Sequence, residues 1–241
     1  MRGGQSRPQR LPFCTDDAHH ARMAHAVAPP ASWSPGRIRL RWTAAMVAGE
    51  VIGLGGAGLL ALGATALVGD APPTPVVAVM FVAMLAAGAC EGAAVGGMQS
   101  LVLARVLPRV PRRPWIIATA IGALLAWLIG AGVVMSLPED QAFEDSLPLF
   151  MALGPVLGAL LGGCQWAVLR RHVPGAGWWV VANAAGWGIG LLVGFGIPMS
   201  ITEDTPAALA AALALLTGAG TGLAPGLVTA ETLVRLPRRV R

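Results

Sequence analysis

Six long apolar segments, separated by short polar connections, dominate the sequence after Trp42. They span residues 43–69, 76–104, 115–136, 147–169, 178–199 and 206–234. Each is long enough to supply the roughly 20 residues that a helix needs to cross a hydrocarbon core about 30 Å thick. Because backbone polar groups in lipid must be satisfied within the segment itself, this pattern predicts an all-α transmembrane bundle of six helices.

The charged residues between these segments alternate in sign. Arginines occupy the N-terminal region, the second and fourth connections and the C-terminus. The other three connections carry only acids, namely Asp70, Glu139, Asp140, Glu144, Asp145, Glu203 and Asp204. Since arginine-rich loops face the cytoplasm, we predict a multi-pass protein of the cell membrane with both termini in the cytoplasm.

The region before the first apolar segment has a different character. Residues 1–41 are rich in arginine and proline and lack hydrophobic periodicity, which is typical of disorder. We predict a disordered cytoplasmic tail over 1–41 and a transmembrane domain over 42–241. The first apolar segment begins too far along the chain for a cleavable signal peptide, and Met23 is a second candidate for the initiating residue.

Composition argues against several functions. Only 12% of the residues are charged, against about 25% in a typical soluble domain. The net charge of +5 does not indicate nucleic-acid binding, because the 17 basic residues, all arginine, are spread over the loops. The three cysteines have no CxxC spacing, and no hydrolase, P-loop or zinc-protease motif occurs. We therefore predict no enzyme activity, no cofactor, no metal site and no nucleic-acid partner.

The chain contains an internal repeat. Shifting residues 115–171 by 64 positions onto 179–235 gives 17 identities in 57 aligned positions without a gap. The first hairpin is a looser copy, so the sequence predicts three tandem hairpins over 42–108, 115–174 and 179–238. An even number of helices per copy gives all three the same orientation in the membrane.

Each hairpin's second helix carries a glycine motif with four-residue spacing. The three motifs are Gly88, Gly92 and Gly96; Gly154, Gly158 and Gly162; and Gly218, Gly222 and Gly226. This spacing places the glycines on one helix face, where a neighbouring helix can approach closely. We interpret the motifs as packing surfaces, and the alternative is a set of pivots or a pore lining.

Two serines follow the first helices of the second and third hairpins in the pattern Ser-x-x-Glu. They are Ser136, three residues before Glu139, and Ser200, three residues before Glu203. The pattern predicts a capping box that starts a short helical turn outside the membrane. The alternative is that these glutamates form an acidic mouth for cations.

Ionisable groups inside a membrane are the first candidates for function, because burying them there is costly. Glu50 lies in the cytoplasmic half of the first segment, and Glu91 lies near the middle of the second, between Gly88 and Gly92. Either carboxyl could carry a proton, hold a cation or form a structural hydrogen bond. Glu231 differs, because Arg235 lies four residues on and can pair with it.

Uncharged polar and aromatic residues give weaker candidates. Gln99 and Gln165 occupy equivalent positions in the repeat, and Asn183 and Thr119 occupy equivalent positions on the first helices of the third and second hairpins. Such carboxamides usually form interhelical hydrogen bonds.

Three tryptophans, Trp115, Trp178 and Trp179, stand beside the arginine loops, which predicts an interfacial aromatic belt. The sequence G-x3-GG-x-Q-x3-L-x-R, at 92–105 and 158–171, resembles a group of uncharacterised bacterial multi-pass proteins. That resemblance implies a fold but no activity, and Thr229 replaces the glutamine in the third hairpin.

These patterns leave two functional hypotheses. The first is a non-enzymatic structural or interaction protein whose arginine loops contact anionic lipid headgroups and which associates with a membrane-protein partner or a second copy. The second is a small-solute or proton-coupled ion transporter, or a channel, that uses Glu91 near the membrane midplane.

Overall fold

The computed structural model describes residues 33–68, 73–138, 143–202 and 204–236, and these form helices and turns without any β-strand. The predicted all-α bundle is confirmed, because six helices are long and apolar enough to cross a membrane. They are α1 (Pro35–Val68), α2 (Thr74–Val106), α3 (Arg112–Met135), α4 (Phe143–Leu169), α5 (Trp178–Gly196) and α6 (Ala207–Arg235). A 3-10 turn at Pro198–Ser200 follows α5.

The first helix begins earlier than predicted. Its N-cap is Ser34, whose hydroxyl accepts a hydrogen bond from the Arg37 amide, and Pro35 occupies the first helical position. Residues 35–41 therefore belong to α1 rather than to a tail, while residues 1–32 lie outside the described residues. The apolar pattern did not indicate that residues 35–41 are helical, because three arginines alternate with Ile38 and Leu40 there. Ile38 is nevertheless fully buried.

The six helices pack as a closed ring in chain order, with α6 returning to contact α1. The ten arginines within the described residues are all exposed and lie at one end of the bundle, which we call the arginine end. There, Arg39 of α1 donates a hydrogen bond of 2.7 Å to Glu231 of α6. Glu231 also pairs with Arg235 at 2.9 Å, which confirms that prediction. The Arg39–Glu231 pair joins the first and last helices, and the Arg235–Glu231 pair lies within α6.

The glycine motifs face neighbouring helices. Those of α2, α4 and α6 lie against α3, α5 and α1 respectively. A methyl group at Gly92 would lie 2.6 Å from the Thr119 carbonyl oxygen, and one at Gly158 would lie 2.5 Å from the Asn183 carbonyl oxygen. Because these contacts are with backbone atoms, only glycine allows the helices to approach so closely.

A π-helical turn interrupts α1 directly after Glu50. It spans Val51–Gly55, between the α-helical parts Pro35–Glu50 and Gly56–Val68. A methyl group at Gly53 would lie 2.6 Å from the Glu91 Cα atom of α2, and one at Gly55 would lie 3.3 Å from Leu215 of α6. The turn thus places α1 tightly between two helices at the level of both glutamates. π-Turns of this kind occur frequently at functional sites.

The serines of the two predicted capping boxes each bond to the helix that precedes them. The hydroxyls of Ser136 and Ser200 donate to the carbonyl oxygens of Val133 and Ile197, each three residues earlier. These bonds close the preceding helix, and α6 begins at Ala207. The partner residues Glu139 and Glu203 lie outside the described residues.

Candidate functional site

The structure brings together the two acidic residues that the sequence identified inside the apolar segments. Glu50 of α1 is fully buried and Glu91 of α2 is 6% exposed. Both side chains line the same cavity, and the Glu91 backbone lies against Gly53, three residues after Glu50 in α1. The site is therefore a pair of acids held by adjacent helices at the π-turn.

The two carboxyl groups differ in their hydrogen bonds. The indole Nε1 of Trp127 on α3 donates to Glu91 Oε2 at 2.6 Å. Neither oxygen of Glu50 receives a hydrogen bond from any described residue. Glu50 instead packs against the glycine face of α6, where a methyl group at Gly222 would lie 2.7 Å from its Cγ atom. One acid is thus fixed by a donor and the other is left without one.

A cavity of about 370 Å³ adjoins this pair. It is bounded by α1 to α5 and extends from the carboxyl groups toward the end of the bundle opposite the arginines, where α3 ends at Met135. No arginine or histidine is among its lining residues. Two ionised carboxylates in such surroundings would carry uncompensated charge at a large energetic cost. Protons or a bound cation can supply the compensation.

The glutamines lie in a different cluster, nearer the arginine end. Gln165 donates to Gln99 Oε1 at 3.2 Å and to Thr119 Oγ1 at 3.1 Å. The two glutamine oxygens also accept from indole groups, Gln99 from Trp115 at 3.1 Å and Gln165 from Trp179 at 2.8 Å. These bonds join α2, α3, α4 and α5, and all five residues are buried.

The prediction of an interfacial belt is therefore wrong for two of its three tryptophans. Trp115 and Trp179 have no exposed surface, whereas Trp178 is 71% exposed. An indole suits either place, because its N–H group can be satisfied by water at an interface or by a carboxamide in a core. The ring planes of Trp115 and Trp179 meet nearly edge to face, with centroids 5.8 Å apart.

A third tryptophan completes this cluster. Trp42 of α1 donates to Thr229 Oγ1 of α6 at 2.8 Å and packs against Trp179 with ring centroids 5.5 Å apart. Thr229 stands where the other hairpins have glutamine, and its hydroxyl accepts the indole N–H in place of an amide oxygen. We call Trp42, Trp115, Trp179, Gln99, Gln165, Thr119 and Thr229 the Trp–Gln cluster.

Asn183 belongs to neither group. It is buried, and its side-chain amide donates to the Trp179 carbonyl oxygen in its own helix at 2.9 Å. Its neighbours across the interface are Gly158 and Gly162 of α4. The candidate polar residues thus separate into an acid pair, a structural cluster and a packing residue.

Trp127 was not predicted from the sequence, yet it alone among the described residues donates a hydrogen bond to Glu91. Its position has no tryptophan counterpart in the third hairpin, where Leu191 aligns with it. Trp127 departs from the repeat in the same way as Glu91, and this departure is the sequence signal that could have identified it.

The chain matches no protein-family model, no curated protein and no solved structure.

The Trp–Gln cluster gives a stability prediction. Gln165→Leu removes the acceptor for Trp179 and both donated bonds, so we expect it to lower the free energy of unfolding by about 1–3 kcal/mol. In a double-mutant cycle with Trp179→Phe, the coupling should be about 1 kcal/mol. Unfolding in mixed micelles of increasing denaturing detergent would measure both. Trp178→Phe is the matched control, and equal losses for Trp178→Phe and Trp179→Phe would contradict the assignment.

Proposed function

We propose that this protein is a proton-coupled transporter of a small cation and that Glu91 acts together with Glu50. The observation that carries the proposal is the buried carboxyl of Glu50, which has no hydrogen-bond donor among the described residues and lies beside Glu91 at a cavity. A purely structural glutamate would be expected to have partners, because a buried polar group without them destabilises the fold. Exchange of one proton for one monovalent cation keeps the charge of the site constant.

The position of the Trp–Gln cluster suits this function. Trp42 precedes Glu50 by about two helical turns, roughly 12 Å along the axis at 1.5 Å per residue. The cluster therefore lies between the acid pair and the arginine end. Its member Thr119 borders the cavity, and the rest of the cavity extends from the acid pair the other way. By the positive-inside rule the arginine end is cytoplasmic. We propose that the described conformation gives access from the outer side of the cell membrane and is closed toward the cytoplasm.

The arginine end supports a second candidate function. All ten described arginines are exposed there, and basic side chains at this position attract anionic headgroups by about 1 kcal/mol each. A non-enzymatic, lipid-contacting bundle would use this surface and would have no need of the acid pair. The transporter therefore requires the two glutamates for its activity, whereas the lipid-contacting bundle does not require them.

A proton-flux assay distinguishes them. The protein would be reconstituted into vesicles that contain a pH-sensitive dye, and sodium, potassium, magnesium or quaternary ammonium chlorides would be added outside. For wild type we expect at least one cation to raise the internal pH as protons leave. Glu91→Gln should slow this response on the order of 100-fold, because the amide offers no charge to the cation.

Glu91→Gln is also its own folding control. A glutamine oxygen can still accept the hydrogen bond from Trp127, so thermal unfolding of this variant should match wild type. If no cation produces a response that differs between wild type, Glu91→Gln and protein-free vesicles, the transporter proposal is wrong and the lipid-contacting bundle is the better account.

A further inference from the structure

The cavity that adjoins the acid pair has fewer oxygen ligands than a calcium or magnesium site requires. The oxygen-bearing side chains that line it are those of Glu50, Glu91 and Thr119. The Thr119 hydroxyl is already occupied, because it donates to the Trp115 carbonyl oxygen and accepts from Gln165. Calcium takes six to eight oxygen ligands, and magnesium requires an octahedral set. No group of three metal-ligating side chains occurs among the described residues.

The remaining walls are apolar and aromatic. Four aromatic side chains line the cavity, those of Phe81, Trp127, Trp187 and Phe195. Aromatic faces attract organic cations through their quadrupole, and most strongly where water is excluded. A strongly hydrated metal ion would lose its water shell here without gaining replacement ligands. A cation whose charge is already covered by carbon groups does not lose such a shell.

The cavity has the size and polarity of a small-molecule site. Its volume of about 370 Å³ falls within the range of roughly 300–1,000 Å³ that is usual for such sites. Its two ends differ: the carboxyl groups lie at one end, and Phe81, Met84 and Met135 lie toward the other. A ligand that matches this arrangement carries one positive charge at one end and an apolar body at the other.

We infer that the site binds a monovalent, lipophilic organic ammonium, with its charged nitrogen at Glu50 and Glu91 and its apolar body toward Met135. This inference rests on the proposed function and specifies its substrate class. One monovalent cation replaces one proton, so the net charge of the pair is the same before and after exchange. The other helices present no described titratable group to the pair, since α3, α4, α5 and α6 contribute Trp127, Leu161, Trp187 and Gly222.

The test compares benzyltrimethylammonium with tetramethylammonium on the full chain purified in detergent. Both carry the same charge, and only the first has an apolar body. Calorimetry should show that benzyltrimethylammonium binds at least about tenfold more tightly, since burial of a ring contributes at least that factor. Repeating the titration in buffers of different protonation enthalpy should show about one proton released per cation. The intrinsic fluorescence of Trp127 and Trp187 should change on binding.

The variant Glu50→Gln/Glu91→Gln is the control for charge recognition, and it should weaken benzyltrimethylammonium binding on the order of 100-fold. Equal binding to this variant would mean unspecific apolar partition and would overturn the inference. Equal affinities for the two ammonium ions would overturn it as well. If magnesium or sodium drives proton exchange in vesicles while neither ammonium ion binds, the inference fails and the proposed function stands. If no cation drives exchange, the proposed function itself fails.

Discussion

Replacing Glu50 with methionine is expected to raise the free energy of unfolding by about 2 kcal/mol, because it removes a buried polar group that has no hydrogen-bond donor among the described residues. Methionine keeps the unbranched Cβ and Cγ atoms that pack against Gly222, and its apolar end fits the adjoining cavity. The same variant should lose the cation response in vesicles. Unfolding in detergent, measured beside the flux assay, would show a gain in stability together with a loss of function.

Glu91→Met is the matched control. It makes the same chemical change on the neighbouring helix, but it deprives the Trp127 indole of its acceptor. An unpaired buried donor costs about 1–3 kcal/mol, so Glu91→Met should be less stable than Glu50→Met. A loss of stability in Glu50→Met similar to that in Glu91→Met would show that Glu50 has a structural role, and would weaken the case for a functional acid pair. A gain of stability in Glu50→Met together with a loss in Glu91→Met would fit a Glu50 that is retained for function although it lowers stability.

The sequence predicted the helices well because apolar length is a direct consequence of the lipid environment. It also identified both glutamates, since an acid inside an apolar segment is conspicuous. Their pairing was not predictable in the same way. Whether Glu50 and Glu91 face each other depends on the rotation of α1 at the π-turn and on the approach of Gly53 to α2. Hydropathy contains no information about either feature.

The tryptophans were predictable only in part. Trp178 and Trp179 are adjacent and equally near the arginines, yet one is exposed and the other fully buried. Composition cannot separate them, because an indole suits both an interface and a core with an acceptor. The acceptor for Trp179 is Gln165 of another helix. Only the repeat hinted at this pairing, by aligning a tryptophan and a glutamine at fixed places in successive hairpins.

The glycine motifs are where a single substitution should have the largest effect on stability. A Cβ atom at Gly158 would lie 2.5 Å from the Asn183 carbonyl oxygen and 2.6 Å from the Trp187 Cβ atom. Because the first of these belongs to the backbone, no side-chain rotation can relieve the clash, and α5 must move away from α4. We expect Gly158→Leu to lower the free energy of unfolding by about 3 kcal/mol.

Gly163 provides the comparison within the same helix, because no atom outside its own helix turn lies within 4 Å of its Cβ position. At this open position Gly163→Leu should leave stability unchanged or raise it by up to about 1 kcal/mol, since leucine favours the helical conformation over glycine. Thermal unfolding of both variants in the same detergent would measure the difference. Equal stabilities would mean that α4 and α5 can separate freely, so that the glycine face serves as a pivot and not as a fixed packing surface.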